Sequence, residues 1–210
     1  MWLNNVLKME SIIAISGAST VPGLSAAVID HFLRDEFSEI HEIESCITPG
    51  NQTPRGLATM QSVLSYCGTN YKSLEDGKMV DIIGWQGIER VTLPEVGERI
   101  VLNCEIPDLE LFPEMYPTLK TNRFKAGLEL NVFNYALYLM SHVTQLGIYK
   151  NWAALAPLLK PMSEMLYRFG SKLGGMQMTL KGLDRHGKSK TITWNIIADK
   201  GVSFALYQLL

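Results

Sequence analysis

Gly182, Gly187, Lys188 and Ser189 satisfy the pattern G-x-x-x-x-G-K-[ST] within the stretch GLDRHGKSKTITW. In a phosphate-binding loop this spacing cradles phosphates on backbone N–H groups, with the lysine on the terminal phosphates and the hydroxyl on magnesium. That chemistry needs a helix straight after the Lys-Ser pair, so that its N-terminus faces the phosphates. Here Thr191, Thr193 and Asn195 interleave instead with Ile192, Trp194 and Ile196. Period-two alternation with β-branched residues predicts a strand, so 184–188 is expected to be a solvated hairpin tip with Gly187 in its turn. No nucleotide binding is expected from Lys188.

Other residues could hold a small anion. Arg55 stands in the glycine- and proline-rich stretch TPGNQTPRG, just ahead of a helical pattern. A guanidinium there could clamp a carboxylate through two parallel N–H bonds. Arg99 follows Glu98 at a strand start, Asp108 opens PDLELF, and Arg123 sits on TNRFKAGLEL with Glu129 an even number of positions along. If that run is one strand, Arg123 and Glu129 face the same side. Trp85 offers a flat apolar wall, and Asn51 and Ser19 are loop polar groups that usually serve turns. Each charged residue has an alternative as one half of an ordinary ion pair. Met176 and Met178 alternate on a strand and read as core. No Ser–His–Asp, Cys–His or paired-carboxylate constellation can be assembled.

These positions need a scaffold. The stretch 11–16, SIIAIS, reads as a buried strand ending at Gly17. GASTVPG follows as a turn in which Ser19 or Thr20 could cap a helix, with Pro22 in its first turn. A helix is expected over LSAAVIDHFLRDEF, a strand over FSEIHEIESCIT, and a helix from about 57 to 66, stopping at Gly68. Asp76-Gly77 is a turn before a strand that runs into Trp85, and IERVTL and ERIVLNCEI are two more strands. A short helical or turn segment lies between Pro107 and Pro113. A helix over 131–146 ends at Gly147, and another over 152–169 is bent near Pro157 and Pro161. GGMQMTLKGL and KTITWNIIAD are the two arms of the closing hairpin, and SFALYQLL is a short apolar helix. Strands arrive in runs interrupted by helices. The expected class is therefore α+β, a mixed, largely antiparallel sheet with helices packed on one face.

The totals set the class of partner. In 210 residues, 47% hydrophobic and 19% charged, there is material for one sizeable core. Nineteen basic and 21 acidic residues leave a net charge of −2, which gives no reason to expect nucleic acid. Cys46, Cys67 and Cys104 are far apart and odd in number, so reduced buried thiols in a cytoplasmic protein are expected rather than disulfides or a metal. The four histidines are equally scattered. No apolar run reaches the ~18 residues of a membrane span, and the opening MWLNNVLKMES lacks the basic and apolar regions of a secretory signal.

Several segments, in order, carry a resemblance: ISGASTVPGLSAAVID, TPGNQTPRG, Gly84-Trp85, GERIVLNCEIPDLELFP, RFKAGLEL, and GGMQMTLKG followed by Thr-Ile-Thr-Trp. Together, over about residues 13–198, they resemble the saccharopine-dehydrogenase-related family. The resemblance implies a nucleotide-binding Rossmann domain that holds NAD(P), then a substrate and dimerisation domain built on a sheet with helices on one side. The amino-acid-like substrate would sit between the two. This chain is similar to the second domain only, with 1–11 either a remnant of what precedes it or an added start and 12–210 a single domain. It has no G-x-G-x-x-G fingerprint, so NAD(P) belongs to the full-length family and no cofactor is expected on this chain alone. The end also departs from the family pattern, since KGVSFALYQLL is short and lacks proline.

Two functions follow as expectations. One is the substrate-binding and dimerising domain of an NAD(P)-dependent oxidoreductase, inactive alone. The other is a non-catalytic homodimerising or ligand-binding module without a nucleotide domain. A homodimer is expected in either case, because the opening and closing apolar helices need cover.

Overall fold

The computed structural model describes residues 19–198. The strand expected over 11–16, the remnant assigned to 1–11 and the closing helix expected over 203–210 lie outside the described residues. In chain order the elements are α1 (Leu24–Asp35), β1 (Glu39–Thr48), α2 (Leu57–Ser65), β2 (Asn70–Glu75), β3 (Lys78–Ile83), β4 (Glu89–Leu93), β5 (Gly97–Asn103), α3 (Asp108–Met115), β6 (Thr121–Ala126), α4 (Asn131–Gln145), a 3-10 turn (Trp152–Leu155), α5 (Ala156–Met165), β7 (Gly174–Leu183) and β8 (Ser189–Ala198).

One mixed sheet carries them. Its main path runs β3-β2-β6-β1-β7-β8, and the β4–β5 hairpin joins it where β5 meets the end of β6. Only β1 and β6 are parallel, and every other pairing is antiparallel. The sheet has two unlike faces because its central strands alternate. On one face Ile43, Ser45 and Ile47 lie opposite Leu180, Met178 and Met176, and all but Ser45 are apolar. On the other face Glu44 lies opposite both Thr179 and Arg123, and Cys46 opposite Gln177 and Lys125.

The helices cover the apolar face. Val28 and Ile29 of α1 and Phe112 and Tyr116 around α3 pack on Ile40, Ile43, Met176, Met178 and Leu180. Leu64 of α2, Leu137 of α4 and Ala156 of α5 close over Trp85, Ile100 and Leu102. The polar face stays open and is laced by ion pairs. Arg123 reaches Glu75 at 2.5 Å and Glu44 at 3.1 Å, and Lys181 reaches Glu42 at 2.9 Å.

The hairpin between β7 and β8 is regular from Gly174↔Ala198 to Leu183↔Ser189. At its tip the Asp184 N–H donates to the Lys188 carbonyl (2.8 Å), and the Gly187 N–H donates to the Asp184 carbonyl (3.1 Å). Gly187 has φ 73°, a left-handed conformation open to glycine without penalty. The Asp184 carboxylate accepts the N–H groups of His186 and Lys188 at 2.7 and 2.9 Å. The loop's own aspartate thus occupies two N–H groups that a phosphate would need, and Ser189 begins a strand.

Three local expectations are corrected, and one strand was missed. Strand β6 ends at Ala126, where the chain leaves the sheet and the Gly127 N–H donates to the Ile47 carbonyl at 3.0 Å. Glu129 is therefore not on the strand of Arg123. Helix α1 has Gly23 at its N-cap position, so neither Ser19 nor Thr20 stands there, and Pro22 precedes it. The helix expected over 152–169 is a 3-10 turn followed by α5, which ends at Met165. Strand β2, the partner of β3 across the Asp76-Gly77 turn, carries too little alternation to be read as a strand: in NYKSLE a buried pair, Ser73 and Leu74, interrupts it.

Candidate ligand site

The loop between β1 and α2 brings Asn51 and Arg55 to one end of the sheet, beside the loop that leads into β7. The two loops touch at glycine. A side chain on Gly170 would meet the Asn51 Cβ at 2.6 Å and the Glu129 Oε2 at 2.7 Å, and Gly170 has φ 142°. Asn51 is buried, and its Nδ2 donates to the carbonyls of Leu166 (2.8 Å) and Phe169 (3.0 Å). It therefore ties the end of α5 to the β1–α2 loop.

Glu129 is the hub behind that loop. Its Oε2 accepts the N–H groups of Asn51 (2.6 Å) and Ser171 (2.8 Å), and its Oε1 accepts the Ser171 hydroxyl (2.8 Å) and the Arg99 Nη2 (3.3 Å). Burial pushes this carboxyl up, but the backbone donors, the hydroxyl and the Arg99 charge outweigh it, and it lies below its ordinary range. Arg99 is consumed by this pair, with both side chains about nine-tenths covered. It holds Glu129 rather than facing solvent.

Arg55 differs from Arg99 and Arg123. Its Nη2 donates to the Asn51 Oδ1 (2.7 Å) and the Asn51 carbonyl (2.8 Å), and its Cζ lies 6.0 Å from the Phe133 ring centre. Among the described residues it has no carboxylate partner, whereas Arg99 and Arg123 each have one or more. Burial lowers its pKa, the direction expected of a cation drawn out of water without a counterion.

Two cavities meet at Arg55. One, of 340 Å³, lies between α2, α4 and α5 and is walled by Met60, Val63, Phe133, Ala136, Met140 and Leu159. Arg55 is the only charged residue in its described lining. The other, of 270 Å³, is of mixed character and is bordered by Thr53, Lys160, Glu164 and Tyr167. Arg55, Met60 and Ser163 border both. Lys160 and Glu164 are paired with each other. The arrangement can seat an anion against the free Nε and Nη1 donors of Arg55 with apolar surface beside it.

The remaining expected positions lie elsewhere. Asp108 is buried between α1 and α3, where its Oδ2 accepts the Ser25 hydroxyl at 2.5 Å and its Oδ1 has no partner. Burial raises its pKa against the Ser25 hydrogen bond. Arg123 faces the open side of the sheet. Trp85 is buried under α2 with its indole N–H on the Val63 carbonyl at 2.9 Å, and Ser19 is exposed at the start of the described chain. The structure thus brings Asn51, Arg55 and, through Glu129, Arg99 together, and disperses the other four. Ser171, Phe133 and the Glu129 hub were missed. The α4 pattern contains Phe133, but nothing local marks which helical apolar residues line a cavity. Cys67 and Cys104 lie in the same cluster as the cavity wall, and burial pushes both thiols up to about 12, which keeps them un-ionised and unreactive.

No family model matches the chain, and no curated protein matches it. Among solved structures, the apo histidine-tagged saccharopine dehydrogenase (L-Glu forming) from Saccharomyces cerevisiae superposes with a TM-score of 0.52 at 10% identity. The match covers 86% of this chain and 58% of that one. The chain shares its fold with part of a saccharopine dehydrogenase. The shared feature is an α+β domain with a mixed, largely antiparallel sheet and helices on one face. The likeness extends to the fold and no further at this identity. Among the described residues no helix is long and apolar enough to cross a membrane.

Proposed function

We propose that this chain is a ligand-binding module on a saccharopine-dehydrogenase-like scaffold, which recognises a carboxylate-bearing small molecule through Arg55. The observation that carries this reading is the half-buried guanidinium without a counterion at the mouth of an apolar cavity. Pockets of this kind are mostly apolar with a few placed polar groups that fix orientation. Asn51 and Glu129 supply the support. Asn51 occupies Nη2 of the guanidinium, and Glu129 fixes Asn51, so the group is held in place with its Nε and Nη1 donors left for single N–H bonds to a carboxylate. The un-ionised thiols and the carbon-lined wall favour binding over covalent chemistry. The three free cysteines suit a reducing compartment such as the cytoplasm.

The test is calorimetric titration of the chain with glutarate and with its neutral diamide. The reading predicts saturable binding of glutarate, weaker binding of the diamide, and an affinity at least tenfold lower for Arg55→Gln, since a hydrogen bond to a charged group contributes roughly 1.5–3 kcal/mol. Equal binding by wild type and Arg55→Gln would refute it.

A second reading rests on the yeast enzyme's fold. This domain would shape the substrate pocket of an NAD(P)-dependent oxidoreductase whose nucleotide domain is separate, and would pair with a second copy. It predicts no NADH or NADPH binding to this chain alone. Hydride transfer would appear only when a nucleotide-binding domain is supplied.

A further inference from the structure

We infer that the ligand held by Arg55 is a single-chain aliphatic carboxylate, its hydrocarbon chain lying in the cavity between α2, α4 and α5. This rests on the reading of Arg55 as the anion clamp and adds the class of molecule. Three observations carry it. The 340 Å³ cavity is lined by apolar side chains, apart from Arg55 and the hydroxyls of Thr59 and Ser163. At about 30 Å³ per water-sized group, a volume of 340 Å³ accepts roughly ten methylene-sized groups. A compact dicarboxylate would leave most of that wall uncovered, and its second charge would meet no cation there.

Charge complementarity selects the head group. Arg55 is one cation with Nε and Nη1 left to donate, which matches one carboxylate, and its neighbour Lys160 is already paired with Glu164. The second cleft beyond Arg55, with Thr53, Ser163 and Tyr167 on its border, gives the head group room while the tail lies in the first. The two cavities share Arg55, so head and tail positions adjoin at one residue. Val132 and Met162 border the apolar cavity and are each 58% exposed, so a bound chain would cover apolar surface now open to water.

The experiment is calorimetry on the full chain with decanoate below its micelle concentration, decanamide, decyl phosphate and glutarate. The variants are Arg55→Gln, Ala136→Phe to fill the cavity and Val132→Trp to narrow its exposed rim. Expected are one decanoate per chain, at least tenfold weaker binding of decanamide, and at least tenfold weaker binding of decanoate to Arg55→Gln. Ala136→Phe should lose decanoate and keep glutarate. If that variant does not fold, Val132→Trp, at an exposed position, should still weaken decanoate at least tenfold and spare glutarate. Glutarate binding without decanoate binding would overturn this inference and leave the Arg55 clamp standing, whereas no binding of either would overturn both. Tighter binding of decyl phosphate than of decanoate would overturn the carboxylate assignment. A doubled mass by light scattering with no decanoate uptake would show a second copy filling the cavity, and would overturn it too.

Discussion

Arg55 Nη2 bonds to both oxygens of Asn51, the side-chain Oδ1 at 2.7 Å and the backbone carbonyl at 2.8 Å. One residue therefore takes up Nη2 of the guanidinium, while its Nε and Nη1 make no hydrogen bond among the described residues. Asn51 is in turn tied to Glu129, Leu166 and Phe169. Asn51→Ala should release the end of α5 and leave Arg55 held by the residue 51 backbone carbonyl alone. The expected loss is about 1–3 kcal/mol for each buried partner left unpaired, read as a lower urea midpoint, together with weaker carboxylate binding. An Asn51→Ala protein with wild-type affinity would show that the clamp needs no such support.

Glu129 should make the fold acid-sensitive. Its carboxyl lies below the ordinary range in the folded state, so the unfolded chain takes up its proton first. The stability it contributes is then fully present above the unfolded value and is lost as pH falls through the folded one. Between about pH 5 and pH 3 the wild type should lose stability more steeply than Glu129→Gln. Parallel curves of urea midpoint against pH would contradict this.

Asp108 should act with the opposite sign. Burial raises its folded value, so the native state holds the proton longer than the unfolded chain does. The stability this gives is fully present below the unfolded value of about 3.9 and is lost as pH rises through the folded value. Asp108→Asn should therefore flatten the decline in stability on the alkaline side of about pH 4. An unchanged slope would place the carboxylate in an environment where ionisation costs nothing.

How much of this was legible beforehand depended on distance along the chain. The closing hairpin was readable because alternation over 191–196 and the turn at Gly187 are local signals. The parallel pairing of β1 with β6 was not, because it joins Glu42 to Thr121 across the whole of α2 to α3. Arg123 and Glu129 looked like partners through their even spacing, but the strand stops at Ala126, and each finds its counter-charge elsewhere in sequence: Glu75 and Glu44 for one, Arg99 for the other. Arg55 was legible as a candidate cation in a turn-rich loop. Its lack of a carboxylate partner was not, because that is a property of everything around it in space.

The hairpin tip gives a negative control. Lys188→Ala should leave stability within about 0.5 kcal/mol, as for exposed positions away from special features, and should change no nucleotide-dependent signal. Binding of ATP to the wild type, lost in Lys188→Ala, would contradict the hairpin reading.

Self-association is expected from the outer side of α4, where Tyr135, Leu139, Leu146 and Ile148 are 50–74% exposed. Light scattering should give a dimer mass for the wild type and a monomer mass for Leu139→Glu combined with Leu146→Glu, with unchanged helix content. A monomeric wild type would refute the dimer.

The central claim is that the free Nε and Nη1 donors of Arg55 are where a carboxylate lands. The most direct measurement is the side-chain Nε–H resonance of Arg55 in an NMR titration with glutarate, assigned by its absence from Arg55→Lys. The account predicts a saturable shift of that resonance, with those of Arg99 and Arg123 unmoved. A carboxylate that binds while the Arg55 resonance stays still would contradict it.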